Sequence, residues 1–234
     1  AYTGTITQAA GVAVTTAAYT QAGGTFLGSG AAIAIEGNFS LTGGVFTATS
    51  GTITARGNWT ATGGTFNANG GTVKFFEPDY SGTAGTATIT GSHALNHVTF
   101  EENRAGVTYE FSAAAGTTLT VNGTLTFGNA LDGVMRFTGT GTIAAKGNVV
   151  VSTNADYGYC SACSGPTLLI NGTTDQTLTG SATLDAGNIP NLQINKPSGT
   201  LTLAGTIRTA RNWTVSTPAA LNAGTSTVIF SDTA

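Results

Sequence analysis

Two cysteines, two histidines and eleven carboxylates are all that this 234-residue chain offers for redox, metal or acid–base chemistry. Cys160-Ser-Ala-Cys163 has the spacing of a metal knuckle or a redox dithiol. A zinc site needs four ligands, however, and no second CxxC exists. A thioredoxin-type role needs a βαβ context, which is missing here. A local disulfide pinning the segment 152–166 is therefore preferred to free thiols and to metal or redox work.

His93 and His97 have the four-residue spacing that binds zinc on a helix, but ITGSHALNHVTF reads as strand and turn. Four apart on a strand still shares a face; without a third ligand they are ordinary surface or turn histidines. Glu77, Asp79, Glu101 and Glu102 form the only concentration of carboxylates. They would hold calcium if their two loops met; solvated loop charges are the default. Glycosidases and lyases need clustered acids, or acids beside a base, and no acid recurs in a slot with one. The expectation is a protein that is no enzyme and carries no cofactor. Sequons stand at Asn38, Asn58, Asn122, Asn171 and Asn212. An asparagine turn or amide ladder explains them as well as surface glycosylation does. Threonine triplets such as Thr52-Ile53-Thr54 suggest ice binding, but the aligned slots hold Ala32, Ala34, Val12 and Val14, so the array fails.

The elements around these residues repeat. Tyr19, Phe39 and Trp59 are twenty residues apart, as are Phe26, Phe46 and Phe66, and so are the pairs Gly23–Gly24, Gly43–Gly44 and Gly63–Gly64. A constant period of this length marks a chain that coils, each turn stacking on the last. Coils are expected near 12–31, 32–51 and 52–71, each with a strand at the isoleucine, a Gly-Asn turn, a strand at the aromatic, a double-glycine turn and a strand at the phenylalanine. Like residues then lie about 4.8 Å apart. That makes two aromatic stacks, and it sets Glu36 of one coil beside Arg56 of the next. No segment carries a capped 3.6-residue apolar period, so essentially no helix is expected. Degraded echoes follow: GNWTATGGTFNANGGTVKF from Gly57 returns as RNWTVSTPAALNAGTSTVIF from Arg211.

The expected architecture is an all-β, single-stranded β-solenoid or β-helix with coils of about 20 residues over 1–234. Regular coils fill 1–75, irregular loops lie near 76–112 and 152–166, and a second repeat module occupies about 167–234. Charged residues are only 8% of the chain, a third of the usual ~25%. Net charge is −3 with scattered Lys and Arg, which argues against nucleic acid as a partner. No apolar run reaches the ~18 residues of a membrane span. The start at Ala1 reads as a processed form or an excised fragment, and the composition suggests an exported protein.

The phrases GTLTLAGTIRTARNWTVST, QTLTGSATL…PNLQINKPSGT and GNWTATGGTFNANGGTVKF resemble the repeats of large prokaryotic cell-surface and secreted β-solenoid proteins. That resemblance implies a structural or adhesive role outside the cell, with no catalytic residues to carry over. Strand-like text runs to both termini without a cap, and uncapped solenoid ends invite pairing with another copy. The leading expectation is thus a structural subunit of an extracellular filament or surface fibre, its partners other copies of itself. The alternatives are an adhesin or carbohydrate-binding stalk segment with surface glycans as partner, and a β-sandwich pilin using donor-strand complementation.

Overall fold

The structure is a computed structural model describing residues 2–76, 85–102, 108–128, 134–152, 165–217 and 220–231. The chain is a parallel β-solenoid with no α-helix among those residues. The described strands form three sheets of 7, 6 and 11 strands, in which strands pair with their counterparts in neighbouring coils. Every strand ladder is parallel. A β-sandwich, which needs antiparallel neighbours, is not what this sequence forms.

The 11-stranded sheet is the base of the coil and runs from Val14–Thr16 at one tip to Leu221–Asn222 and Thr227–Phe230 at the other. Its inward column is Val14, Ile33, Ile53, Val73, Val98, Leu125, Val149, Leu178 and Leu203, in register. Alternation explains the choice of types. Ile33 and Ile35 are buried while Ala34 between them faces out, and the same in–out rhythm recurs in Thr118–Val121 and Thr167–Ile170.

The other two sides of the coil are built in two ways. In the early coils one nine-residue strand makes both: Tyr19–Leu27, Phe39–Thr47 and Trp59–Asn67 each bend at the double glycine. The expected turn is instead a kink inside a continuous strand, and the ladder shifts register there. The second glycine of each pair has positive φ, at +65° for Gly24, +81° for Gly44 and +70° for Gly64. A side chain is strained in that region, and glycine is not. We call the leading half of such a strand the first arm and the trailing half the second arm.

From residue 85 onward the arms separate. Gly85–Thr90, Thr108–Ala113 and Val134–Gly139 continue the first arm, while His93–Leu95, Thr118–Val121 and Thr142–Ala145 form a sheet of their own. That sheet takes up the second arm, since His93 stands over Phe66 with ring centroids 6.1 Å apart. Independent arms need more chain. The spacing of 20 residues holds from Ile33 to Ile53 to Val73, then stretches to 25 at Val98 and 29 between Val149 and Leu178. The 20-residue coil therefore does not hold through the middle of the chain. Much of the segment expected to be irregular near 76–112 is strand; residues 77–84, 103–107 and 153–164 lie outside the described residues.

The kinked form returns at the far tip. Leu201–Thr209 is again a nine-residue strand, with Gly205 at φ +70°. Its leading half belongs to the base, and its trailing half takes the first-arm place before Trp213–Val215 supplies the second arm. Leu221 follows Leu201 by 20 residues.

Candidate functional site

The six aromatics of the sequence repeat come together. Tyr19, Phe39 and Trp59 stack face to face, with centroids 5.5 Å and 3.9 Å apart, and Phe26, Phe46 and Phe66 stack at 4.9 Å and 5.3 Å. The two columns meet edge to face, as Tyr19 with Phe26 at 5.7 Å and Phe39 with Phe46 at 5.3 Å. Trp59, Phe39 and Phe46 are fully buried. Each such ring pair contributes about 0.5–1.5 kcal/mol beyond area burial. The stack is a structural spine, open at one end: Tyr19 is half-buried, its hydroxyl donates to Gln21 Oε1 at 2.8 Å, and burial pushes its pKa up to about 12.

Glu36 and Arg56 pair across successive coils, Arg56 Nε lying 2.9 Å from Glu36 Oε2, and the guanidinium sits 4.5 Å over the Phe76 ring. Lys74 pairs with Glu101 at 3.2 Å, which commits one of the four carboxylates considered for calcium. Glu102 is buried. Glu77 and Asp79 lie outside the described residues, as do Cys160 and Cys163. Among the described residues no three His, Cys, Asp or Glu side chains converge as metal ligands would.

The histidines do not share a face. A corner at Asn96 divides them, leaving His93 on the second arm and His97 on the base. Each has a structural partner. Trp59 Nε1 donates to His93 Nε2 at 2.8 Å, while His93 Nδ1 lies 2.9 Å from the Gly91 carbonyl. Nδ1 therefore carries the proton and Nε2 accepts, which requires a neutral ring. Burial lowers the His93 pKa, opposed in part by the Gly91 carbonyl. His97 Nδ1 accepts from the Thr124 amide at 2.9 Å.

The sequon asparagines act first on the backbone. Asn38 Oδ1 accepts the Asn58 amide and Asn58 Oδ1 accepts the Thr88 amide, each at 2.9 Å. Asn38, Asn58, Asn122 and Asn212 are exposed, and Asn171 is half-buried. A buried lysine was not foreseeable from spacing. Lys196 is 2% exposed, and its Nζ donates to the carbonyls of Gly172 and Thr174 and to Gln176 Oε1 at 2.7–3.0 Å.

Among the described residues the large exposed apolar side chains are Tyr2, Ile6, Val12 and Phe230 at the two tips and Leu27, Val150 and Leu184 along the sides. At one tip, Thr5–Thr7 and Val14–Thr16 each have a neighbour on one side only among the described residues, and the first-arm half Tyr19–Ala22 has no described strand beyond it. Tyr2, Ile6 and Val12 are 54–59% exposed there, and a cavity of about 290 Å³ opens between Tyr2, Ile6, Tyr19, Ala22, Gly23 and Phe26. At the other tip Trp213–Val215, Leu221–Asn222 and Thr227–Phe230 are the last described rungs. Phe230 is 67% exposed, packed edge-on against Trp213 at 5.8 Å. No Asp, Glu, Lys or Arg occurs in residues 2–35 or 212–231. Open sheet edges are ordinarily blunted by such charges, or by proline or a covering segment. No known protein family, curated protein or solved structure matches this chain.

Proposed function

We propose that the chain is a structural subunit that joins copies of itself end to end into an extracellular filament or surface fibre. The observation that carries this reading is the chemistry of the tips: strands without a described outer partner, exposed Tyr2, Ile6, Val12 and Phe230, and no Asp, Glu, Lys or Arg in residues 2–35 or 212–231. The outer strands at both tips have no described partner, and pairing with another copy would satisfy their backbone groups while removing apolar area from water. The solenoid body supplies length and stiffness. Export and a cell-surface location are supported by the low charge and the threonine- and glycine-rich composition.

The test is electron microscopy and sedimentation of the purified 234-residue chain over a concentration series. Filaments one solenoid wide, lengthening with concentration, are expected. A strictly monomeric particle at the highest attainable concentration would overturn the reading. The second reading is a stalk segment of a glycan-binding adhesin, favoured by the outward ladder of Asn38 and Asn58. Glycan-array binding by chains that stay monomeric would select it.

A further inference from the structure

We infer that the contact between copies, which rests on the end-to-end reading above, is an in-phase continuation of the coil with one specific assignment of strands. Each coil runs from first arm to second arm to base. The last described rung at the far tip, Thr227–Phe230, pairs with the trailing half of Leu201–Thr209 and so holds a first-arm place. The first described strand at the near tip, Thr5–Thr7, pairs with Thr25–Leu27 and so holds a second-arm place. A first arm is followed by a second arm, so the near tip of one copy takes up the path where the far tip of another leaves it.

The strand partners then follow without rotating one copy against the other. Trp213–Val215 lies against Thr5–Thr7 of the next copy, Leu221–Asn222 against Val14–Thr16, and Thr227–Phe230 against Tyr19–Ala22. The last pairing covers the half-strand that lacks a described neighbour and closes the cavity beside it. Both tips contain a nine-residue strand bent at a glycine and a 20-residue step, although that strand joins first arm to second arm at the near tip and base to first arm at the far one.

Side-chain alternation fixes the register. Tyr19 and Gln21 face inward, because their partners Phe39 and Leu41 are buried. Val228 and Phe230 face inward likewise, opposite Ile207 and Thr209. A slip of one residue would turn both apolar side chains outward. A slip of two would use only Phe230. Val228 over Tyr19, Ile229 beside Thr20 and Phe230 over Gln21 is the register that engages both, covering the open end of the aromatic stack with an apolar side chain. With no charged side chain in either tip segment, the junction buries no unpaired charge there.

Thr20 and Ile229 point outward, and in paired strands their Cα atoms would be about 4.8 Å apart, within reach of a disulfide. The experiment uses a Cys160→Ser/Cys163→Ser background that is first shown to form filaments by microscopy. Thr20→Cys/Ile229→Cys in that background, oxidised mildly after assembly, is expected to give a reducible covalent ladder on denaturing gels. Its yield should be at least tenfold above that of Thr15→Cys/Ile229→Cys, which would meet only if one copy were rotated. Equal yields, or a stronger ladder from the Thr15 pair, would overturn the strand assignment and leave end-to-end association standing. Failure of the background protein and of the unaltered chain to assemble would remove both. In the unaltered chain, amide exchange at residues 19–22 should slow at least tenfold on assembly; unchanged exchange in filaments would also refute the assignment.

Discussion

Replacing Gly44 by alanine tests the kink that lets one strand make two sides of a coil. Gly44 has φ +81°, and a Cβ there would meet the backbone of Gly23 and Gly24 in the preceding coil at under 3.0 Å. The positive φ costs alanine about 1–2 kcal/mol, and forcing a methyl into packed backbone adds about 1–3 kcal/mol. Loss of glycine's freedom in the unfolded chain returns about 0.4–1 kcal/mol, so Gly44→Ala should destabilise by about 2–4 kcal/mol. Gly116 is the control, with φ +74° and nothing within 4 Å of its Cβ position. Gly116→Ala carries the strain without the collision and should cost about 1 kcal/mol or less. Urea unfolding followed by Trp59 fluorescence, in a Trp213→Phe background, reports the coils around the kink. Equal shifts for the two variants would refute the claim that close coil approach, rather than φ alone, requires glycine there.

Four further outcomes are expected. Phe39 is 1% exposed between Tyr19 and Trp59, so Phe39→Ala should lose about 3–5 kcal/mol in the same unfolding assay. His93 must be neutral to accept from Trp59, and its folded pKa lies below its unfolded value. Stability is therefore full above the unfolded value near 6.5 and falls as pH drops from there towards the folded pKa. His93→Gln should flatten that part of the unfolding–pH profile. The Glu36–Arg56 pair is partly solvent-facing, so Glu36→Ala should cost no more than about 1 kcal/mol, less at high salt. Lys196→Ala removes the buried donor to the Gly172 carbonyl and Gln176 Oε1 and the part-buried bond to the Thr174 carbonyl, and should cost about 1–3 kcal/mol, more than Lys146→Ala, whose Nζ donates to the Asn171 carbonyl at 3.2 Å.

The first coils were legible because their inward slots hold rings whose identity is conspicuous: Tyr19, Phe39 and Trp59 announce a step of twenty. The middle coils hide theirs. Ile143, Leu168 and Leu192 share one column of the second arm, but aliphatic residues are interchangeable in a core, and loops of varying length separate them. A fixed-period search loses such a column although the ladder keeps it. The double glycines were visible as corners, yet sequence does not say whether a corner breaks hydrogen bonding, and here the strand runs through. His93 could not be tied to Trp59 by pattern, since they are 34 residues apart and belong to different kinds of coil. Lys196 escaped notice for a related reason: its acceptors are mostly backbone carbonyls, which leave no trace in side-chain text.

Because the ladder hydrogen bonds run along the long axis, tension applied at the tips loads successive rungs in series, and the rod can be no stronger than its weakest step. Among the described residues the first-arm ladder thins where Trp59–Asn67 meets Gly85–Thr90, joined only through Trp59 with Ile89 and Thr60 with Thr90. The base keeps five pairs across the same step, from Thr72 with His97 to Phe76 with Glu101. Stretching should thus open this step from one side, hinging on the base, with the indole–imidazole hydrogen bond lying across the side that opens.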